Sequence, residues 1–285
     1  MDETPIWYEM NYKKTIESIG YKNVNVKTFN CDKLRISLIL IILSNGTKLA
    51  PLVVFKGKTG GPLEKELQNN INIKSNLIHA KCQENSWVNN DIFKFWLINI
   101  WFNYTNSQNK KSLLIMDRAT SHYIENLDLI MRKNSSLYIL IPPDLTKFFQ
   151  PLDISVNFPF KHYLKEEYCG FNIANMNSKK ITQNDIINMI CKIWYDENKI
   201  SDNTITKAFK ITWITEDFNQ NQSKIKFVWP KEIIPNADIK KYLLENLKEK
   251  IEMNSQNNFS IEDNFQNGEK EGKIIQPKIT AIFVG

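Results

Sequence analysis

Residues 112–141 read SLLIMDRATSHYIENLDLIMRKNSSLYILI, and prolines follow at 142 and 143. Ser112 to Met116 is a short apolar run that stops at Asp117, and Leu137 to Ile141 is a second, closed by Pro142-Pro143. Between them a helix is predicted near Ile124 to Lys133, with Asn134 placed to end it. Strand, helix and strand with short connections make a parallel crossover unit. Upstream, Leu34 to Leu43 (LRISLILIIL) is β-branched and aliphatic, Ser44-Asn45-Gly46 is a turn signal, and Leu49 to Phe55 resumes the apolar pattern. That predicts a β-hairpin. Its first arm is almost continuously apolar instead of alternating, as in a strand covered on both faces. A parallel unit joined to an antiparallel hairpin gives a mixed sheet in a layered α/β domain, with Val24 to Phe29 as a short additional strand.

Helices are predicted on either side of this core. Ser86 is placed to cap a helix whose apolar residues Val88, Ile92, Phe95, Trp96 and Ile100 follow the helical period, and it comes after a Gly-, Pro- and Asn-rich connection from Gly57 to Asn76. From Gln150-Pro151-Leu152-Asp153 to Tyr168 the chain reads as helix, with Pro159 obliged to sit in a first turn or to kink it. Thr182 and Ser201 cap two further helices, one carrying Ile186, Ile187, Ile190, Ile193 and Trp194, the other Ile205 and Phe209. The organisation expected is one domain over residues 1–215 and a polar, weakly ordered tail over 216–285, with one helix from Ala237 to Met253.

Composition excludes several classes. With 285 residues, 42% of them hydrophobic and 12% aromatic, wholesale disorder is ruled out. There are 37 Lys and Arg against 31 Asp and Glu, a net charge of +6 that favours a polyanionic partner without requiring one. The apolar run from Ile36 to Leu43 is too short to cross a bilayer, and Met1-Asp2-Glu3 does not open a signal peptide, so a soluble intracellular protein is expected. Cys31, Cys82, Cys169 and Cys191 are scattered, and His79, His122 and His162 have no zinc-site spacing.

Three aspartates stand out by placement. Asp2 opens the chain, Asp117 ends a buried strand and Asp153 stands at a helix entrance. Ligands gather at the carboxyl ends of strands in α/β sheets, and converging carboxylates there can hold hard divalent cations. The plainer readings also stand: Asp117 and Asp153 as helix caps, Asp2 as a solvated terminal residue.

The residues around the aspartates form an ordered series. Asp2-Glu3-Thr4-Pro5 comes first, then the Ser44-Asn45-Gly46-Thr47 turn leading to Pro51-Leu52-Val53-Val54-Phe55-Lys56-Gly57-Lys58. Leu114-Ile115-Met116-Asp117-Arg118-Ala119-Thr120-Ser121-His122 follows, then Leu140-Ile141-Pro142-Pro143-Asp144-Leu145-Thr146 and Gln150-Pro151-Leu152-Asp153. From Asp2 to about Thr215 this resembles the DDE superfamily endonuclease domain of pogo/Tigger-type transposases, a group that includes centromere protein B-like relatives.

The resemblance implies an RNase H-like mixed sheet flanked by helices, with a helical C-terminal extension and part of the first strand lacking, since Asp2 has only Met1 before it. It implies a catalytic and metal-binding triad of Asp2, Asp117 and Asp153, two Mg²⁺ ions for which Mn²⁺ can substitute, and DNA as the partner. The reaction implied is two-metal phosphodiester hydrolysis and strand transfer. Lys56, Lys58, Arg118, His122, Lys147 and Lys161 are the candidate DNA-binding residues, each also readable as a solvated charge or, for His122, as a helix-start residue. Glu3, beside Asp2 on a strand, points to the opposite face and reads as structural. Arg118 departs from the family, which has Asn after its second acid. The N-terminal helix-turn-helix of relatives is missing from the sequence, which suggests a truncated copy, a separate DNA-recognition subunit or a homo-oligomer. The alternative function is a domesticated, non-catalytic DNA- or chromatin-binding protein. Nuclear residence and no membrane contact are expected in either case.

Overall fold

The computed structural model describes residues 1–10, 34–108, 111–175, 179–212, 214–216, 225–227 and 283–284. The strand expected at Val24 to Phe29, the helix at Ala237 to Met253 and most of the tail lie outside them. Strands β1 (Asp2–Trp7), β2 (Arg35–Leu40) and β3 (Leu52–Lys56) run antiparallel in turn, and β4 (His79–Gln83) joins β3 in parallel. Strands β5 (Ser112–Asp117) and β6 (Ser136–Ile141) are parallel and paired over their full length. Two short strands, β7 (Ile214–Glu216) and β8 (Ile225–Phe227), pair with each other, and β9 (Phe283–Val284) pairs with β5 at Leu113 and Leu114.

The near-continuous apolar run of β2 is explained by the layers around it. Ile36, Leu38 and Leu40 join one buried cluster, whereas Ile39, Ile41 and Leu43 join another on the opposite face. Strand β5 divides in the same way, with Leu113 and Ile115 on the first face and Leu114 and Met116 on the second. Alternate side chains point to opposite faces of a strand, so apolar residues at every position require helices on both sides.

The second face is covered by the helix Asn90–Trp96, which runs on through a π-helical stretch at Leu97–Phe102, and by a helix at Leu127–Lys133. The first face carries the long helix Asn157–Ala174 and those at Gln183–Trp194 and Asp202–Ile211. Thr182 caps the second of these three with a full capping box to Asp185, and Ser201 caps the third. Gly46 turns the hairpin with φ at 96°, and a Cβ there would stand 2.8 Å from that of Asp202.

Some expectations change. Strand β1 has six residues, all paired with β2 from Asp2↔Leu40 to Trp7↔Arg35. The Met1 amino group donates to the Ile115 carbonyl at 3.0 Å, and β9 pairs with β5 at the two residues before it, so this edge of β5 is occupied at Leu113 to Ile115. The connection at 57–76 contains short helices at Pro62–Leu67 and Ile71–Lys74, and β4 follows it. Asn89, not Ser86, caps the helix Asn90–Trp96, accepting a hydrogen bond from the Ile92 amide. Asn134 is the C-cap of the helix at Leu127–Lys133, as predicted.

Candidate active site

Asp2 is at the start of β1, Asp117 at the end of β5, and Asp153 in a π-helical turn at Leu152–Val156 that runs into the long helix Asn157–Ala174. Pro159 is the third residue of that helix and follows closely on the π-helical turn. Local π-helical turns insert a residue and re-aim side chains, and they recur at functional sites. Here the turn places Asp153 one helical step before Asn157. The Asn157 side-chain amide donates to Asp2 Oδ2 at 2.6 Å and to Asp153 Oδ1 at 2.9 Å. One nitrogen thus links carboxylates that are 151 positions apart in the chain. Gln150, wholly buried, donates to the Met1 carbonyl at 2.7 Å and ties the same segment to the start of β1.

On the other side of the acids His122 is 0% exposed. Its Nδ1 is 2.9 Å from the Asp117 carbonyl oxygen and 3.1 Å from Asp117 Oδ1, while Nε2 is 3.1 Å from Glu3 Oε1. Ser121 also donates to Glu3. Glu3 therefore braces the short turn Thr120–His122 from the far face of β1, the structural part expected of it.

These contacts set the charges. Burial, followed by the negative charge of Asp153, pushes the Asp2 carboxyl up to about 7, against the pull of the Asn157 amide. Burial also raises Asp117, but the His122 ring, the Ala119 amide and the N-terminal amino group outweigh it and hold the carboxyl below its ordinary value. Burial lowers His122, yet its contacts with Asp117 and Glu3 prevail and carry it up to about 9. Lys161, one turn beyond Asn157, is pulled below its usual value by burial, opposed by Asp2 and Asp153.

The six candidate DNA-binding residues divide. Lys161 stands by the acids, and His122 is enclosed between them and Glu3 rather than displayed on a surface. Arg118 is exposed, and its Nε donates to the Tyr123 hydroxyl. Lys147 is exposed, with its ammonium 4.9 Å from the Phe148 ring centroid. Lys56 and Lys58 fall elsewhere: Lys56 ends β3 on the Trp7 side of the sheet, at the opposite end of β1 from Asp2, and Lys58 is in the turn after it. Asn157 and Gln150 were missed by sequence reasoning. The signal for Asn157 was its i, i+4 spacing from Asp153 in a predicted helix.

The sequence family described as DDE superfamily endonuclease matches residues 33–209, more than half of the chain. The chain belongs to that family. The matched span contains Asp117 and Asp153, and Asp2 lies before it. Among curated proteins the chain is similar to a human "Pogo transposable element with KRAB domain", with 26% identity over 227 residues, 77% of this chain and 35% of the relative. The mouse protein of the same description is 26% identical over 217 residues, covering 73% and 34%. A human "Pogo transposable element with ZNF domain" is 23% identical over 229 residues, covering 78% and 15%. The chain thus spans about a third of the KRAB-containing relatives and less of the other. No solved structure matches it significantly.

Endonucleases of the DDE superfamily generally use divalent metals, and the donors here suit such ions. All three are carboxylates, the hard oxygen ligands that Mg²⁺ takes. Asp117 Oδ1 is buried without an aligned hydrogen-bond donor among the described residues, and burial, with the charge of Asp153 behind it, favours the protonated form of Asp2. Among the described residues no three His, Cys, Asp or Glu side chains close into a ready-made cluster. No helix among those residues is long and apolar enough to cross a membrane.

Proposed function

We propose that this chain is a DNA endonuclease domain of transposase type, with an RNase H-like core over residues 1–215 and Asp2, Asp117 and Asp153 as its catalytic and metal-holding triad. The observation that carries the proposal is the Asn157 amide bridging Asp2 and Asp153, with Asp117 at the end of the strand beside β1. Acids borne by a strand and a helical turn are thereby joined, and the charge of Asp117 is felt at Asp2. The RNase H-like assignment is supported by the antiparallel β1, β2 and β3, the parallel β5 and β6, and the approach of Met1 to β5.

The three aspartates would hold two Mg²⁺ ions, or Mn²⁺ in their place; such ions activate a water or 3′-hydroxyl and offset charge on the leaving oxygen. The protein's own groups do the rest. Asn157 sets the spacing of two acids, Gln150 fixes the start of β1, and buried His122 fixes Asp117 and keeps it ionised. Lys161 supplies positive charge beside Asp2 and Asp153, positioned to meet a phosphate. A supercoiled plasmid incubated with Mg²⁺ or Mn²⁺ tests this. Wild-type protein nicks it and Asp117→Ala does not; equal nicking by the two discards the triad.

The second reading is a nuclear, domesticated protein that binds DNA or chromatin without cutting. It is favoured by Arg118 at the place where the family has Asn, and it is read in the same assay as salt-sensitive DNA binding with no nicking.

A further inference from the structure

At the opposite end of β1 from Asp2, roughly 17 Å away at ~3.3 Å per residue, the strand ends open onto two clefts that share Leu34, Arg35 and Lys56 as walls. The larger, about 640 Å³, is flanked by Trp7 and Trp87, and the smaller, about 350 Å³, is bordered by Lys180. Trp7 is 45% exposed and Trp87 59% exposed. Large aromatic rings displayed to water in a cleft mark a contact surface. Arg35 lies directly across from Trp7 in the sheet, and its guanidinium is stacked 4.5 Å from the Trp87 ring centroid. Among the described residues no Asp or Glu lines either cleft, so Arg35, Lys56 and Lys180 make the walls positive.

The loop that carries Trp87 is fixed in advance. Gln83 Oε1 accepts from the amides of Asn85 and Trp87, at 2.7 and 3.1 Å. Ser86, between them, adopts a left-handed φ of 58°. It is 1% exposed, lines the larger cleft, and its hydroxyl has no hydrogen-bond partner among the described residues. A strained backbone and an unsatisfied buried hydroxyl in one wall are costs of a kind that accumulate at binding sites.

We propose that this cleft binds unpaired DNA, with bases stacked on Trp7 and Trp87 and phosphates held by Arg35 and Lys56. Rigid aromatic faces interleaved with cations suit a single strand, whose bases are free to stack, better than a duplex, whose bases are not. The site goes beyond the nuclease reading, because it shares no residue with the acids.

Binding of a fluorescein-labelled oligothymidylate of about 12 nucleotides, followed by anisotropy in EDTA, tests it free of any metal-dependent cutting. Trp7→Ala and Trp87→Ala each weaken binding about 10-fold or more, Trp87→Phe weakens it less, and the pair Arg35→Ala with Lys56→Ala flattens the dependence on salt. Unchanged affinity in the two Trp→Ala variants overturns the proposal. So does an equal loss of affinity for a blunt duplex of the same length, which would mark a backbone-binding surface. On unmutated protein, photo-cross-linking with 5-iododeoxyuridine in the same strand should label Trp7 or Trp87. Labelling confined to other residues also overturns it.

Discussion

Asn157 holds the buried Asp2 carboxyl beside Asp153, and the cost of ionising it there, from burial first and from the neighbouring charge second, should be measurable without any assay of cleavage. Unfolded, Asp2 ionises near 3.8; folded, near 7. The native state binds the extra proton between those values, so its stability falls as pH rises from about 4 to about 7 and is level above. In EDTA, Asp2→Asn is expected to raise the melting temperature at pH 8 by more than at pH 5, and in Mg²⁺ the same variant should not nick. A flat difference between wild type and Asp2→Asn across that range would remove this account of Asp2. His122 acts in a separate window. Its folded value near 9 exceeds the ordinary 6.5, so its contribution, on the order of 3 kcal/mol, is complete below pH 6.5 and is lost on rising through pH 9. His122→Gln should erase that slope and destabilise the protein at neutral pH, as read by urea titrations at pH 6 and pH 9.5. Asn157→Ala takes the hydrogen-bond donor from two carboxylates, one of them buried. A loss of about 1–3 kcal/mol together with at least a 10-fold fall in nicking is expected, and denaturant midpoints and nicking rates check both. These couplings were only partly legible. Asp117 and Asp153 can be picked out as strand-end and helix-start acids, but that Asn157 joins Asp153 to Asp2 depends on a long-range approach that no local pattern records.

Elements were readable where local signals agreed. The β2 and β3 arms, the strand-helix-strand of 112–141, and the helices capped by Thr182 and Ser201 each combine apolar periodicity with a turn or cap residue. Strand β4 was hidden because HAKCQ contains Ala, Lys and Gln, weak strand formers, and it gains its place only by pairing with β3. The helix at Ile71–Lys74 has four residues, too few to show a period. Ser86 looked like a cap because its residue type allows it; Asn89, three residues on, won the position, and Ser86 went to the Trp87 turn. The hairpin turn offers a test at this scale. Gly46 combines a left-handed φ of 96° with a close approach to Asp202, so the hairpin is locked against the helix Asp202–Ile211 by a residue without a side chain. Gly46→Ala meets both a backbone penalty and a clash, and should lower stability by about 1–3 kcal/mol. Asp202→Gly in the same background removes the clash alone. Partial recovery of the chemical-denaturation midpoint would separate the two causes, and no recovery would show that φ alone is responsible.

Among the described residues the strands form a group β1 to β4, a group β6-β5-β9 and the pair β7–β8, and the Met1 hydrogen bond to Ile115 links the first group to the second. One edge of β5 is filled by β6 along all its residues. The other is shared end to end by β9, at Leu113 and Leu114, and by Met1, at Ile115. With only Met1 ahead of Asp2, little next to that aspartate in sequence can support it. Support comes instead from β2, from Gln150 and from the occupied edge of β5, all long-range contacts invisible to a pattern search. The strand that ends on Asp117 therefore depends on β9 for part of its pairing. Removing residues 283–285 should expose main-chain groups of β5 in the middle of the molecule, at a cost of about 1–3 kcal/mol for the bonds lost. Hydrogen exchange should then quicken at Leu113 to Ile115, while the β2–β3 hairpin, which has no bond to β9, keeps its protection. An uncovered edge also invites pairing with another chain, so the shortened protein should shift toward dimers in size-exclusion chromatography with light scattering. Unchanged exchange at Leu113 to Ile115 would mean that β9 adds nothing to the sheet and that Met1 and β6 suffice to hold Asp117 in place.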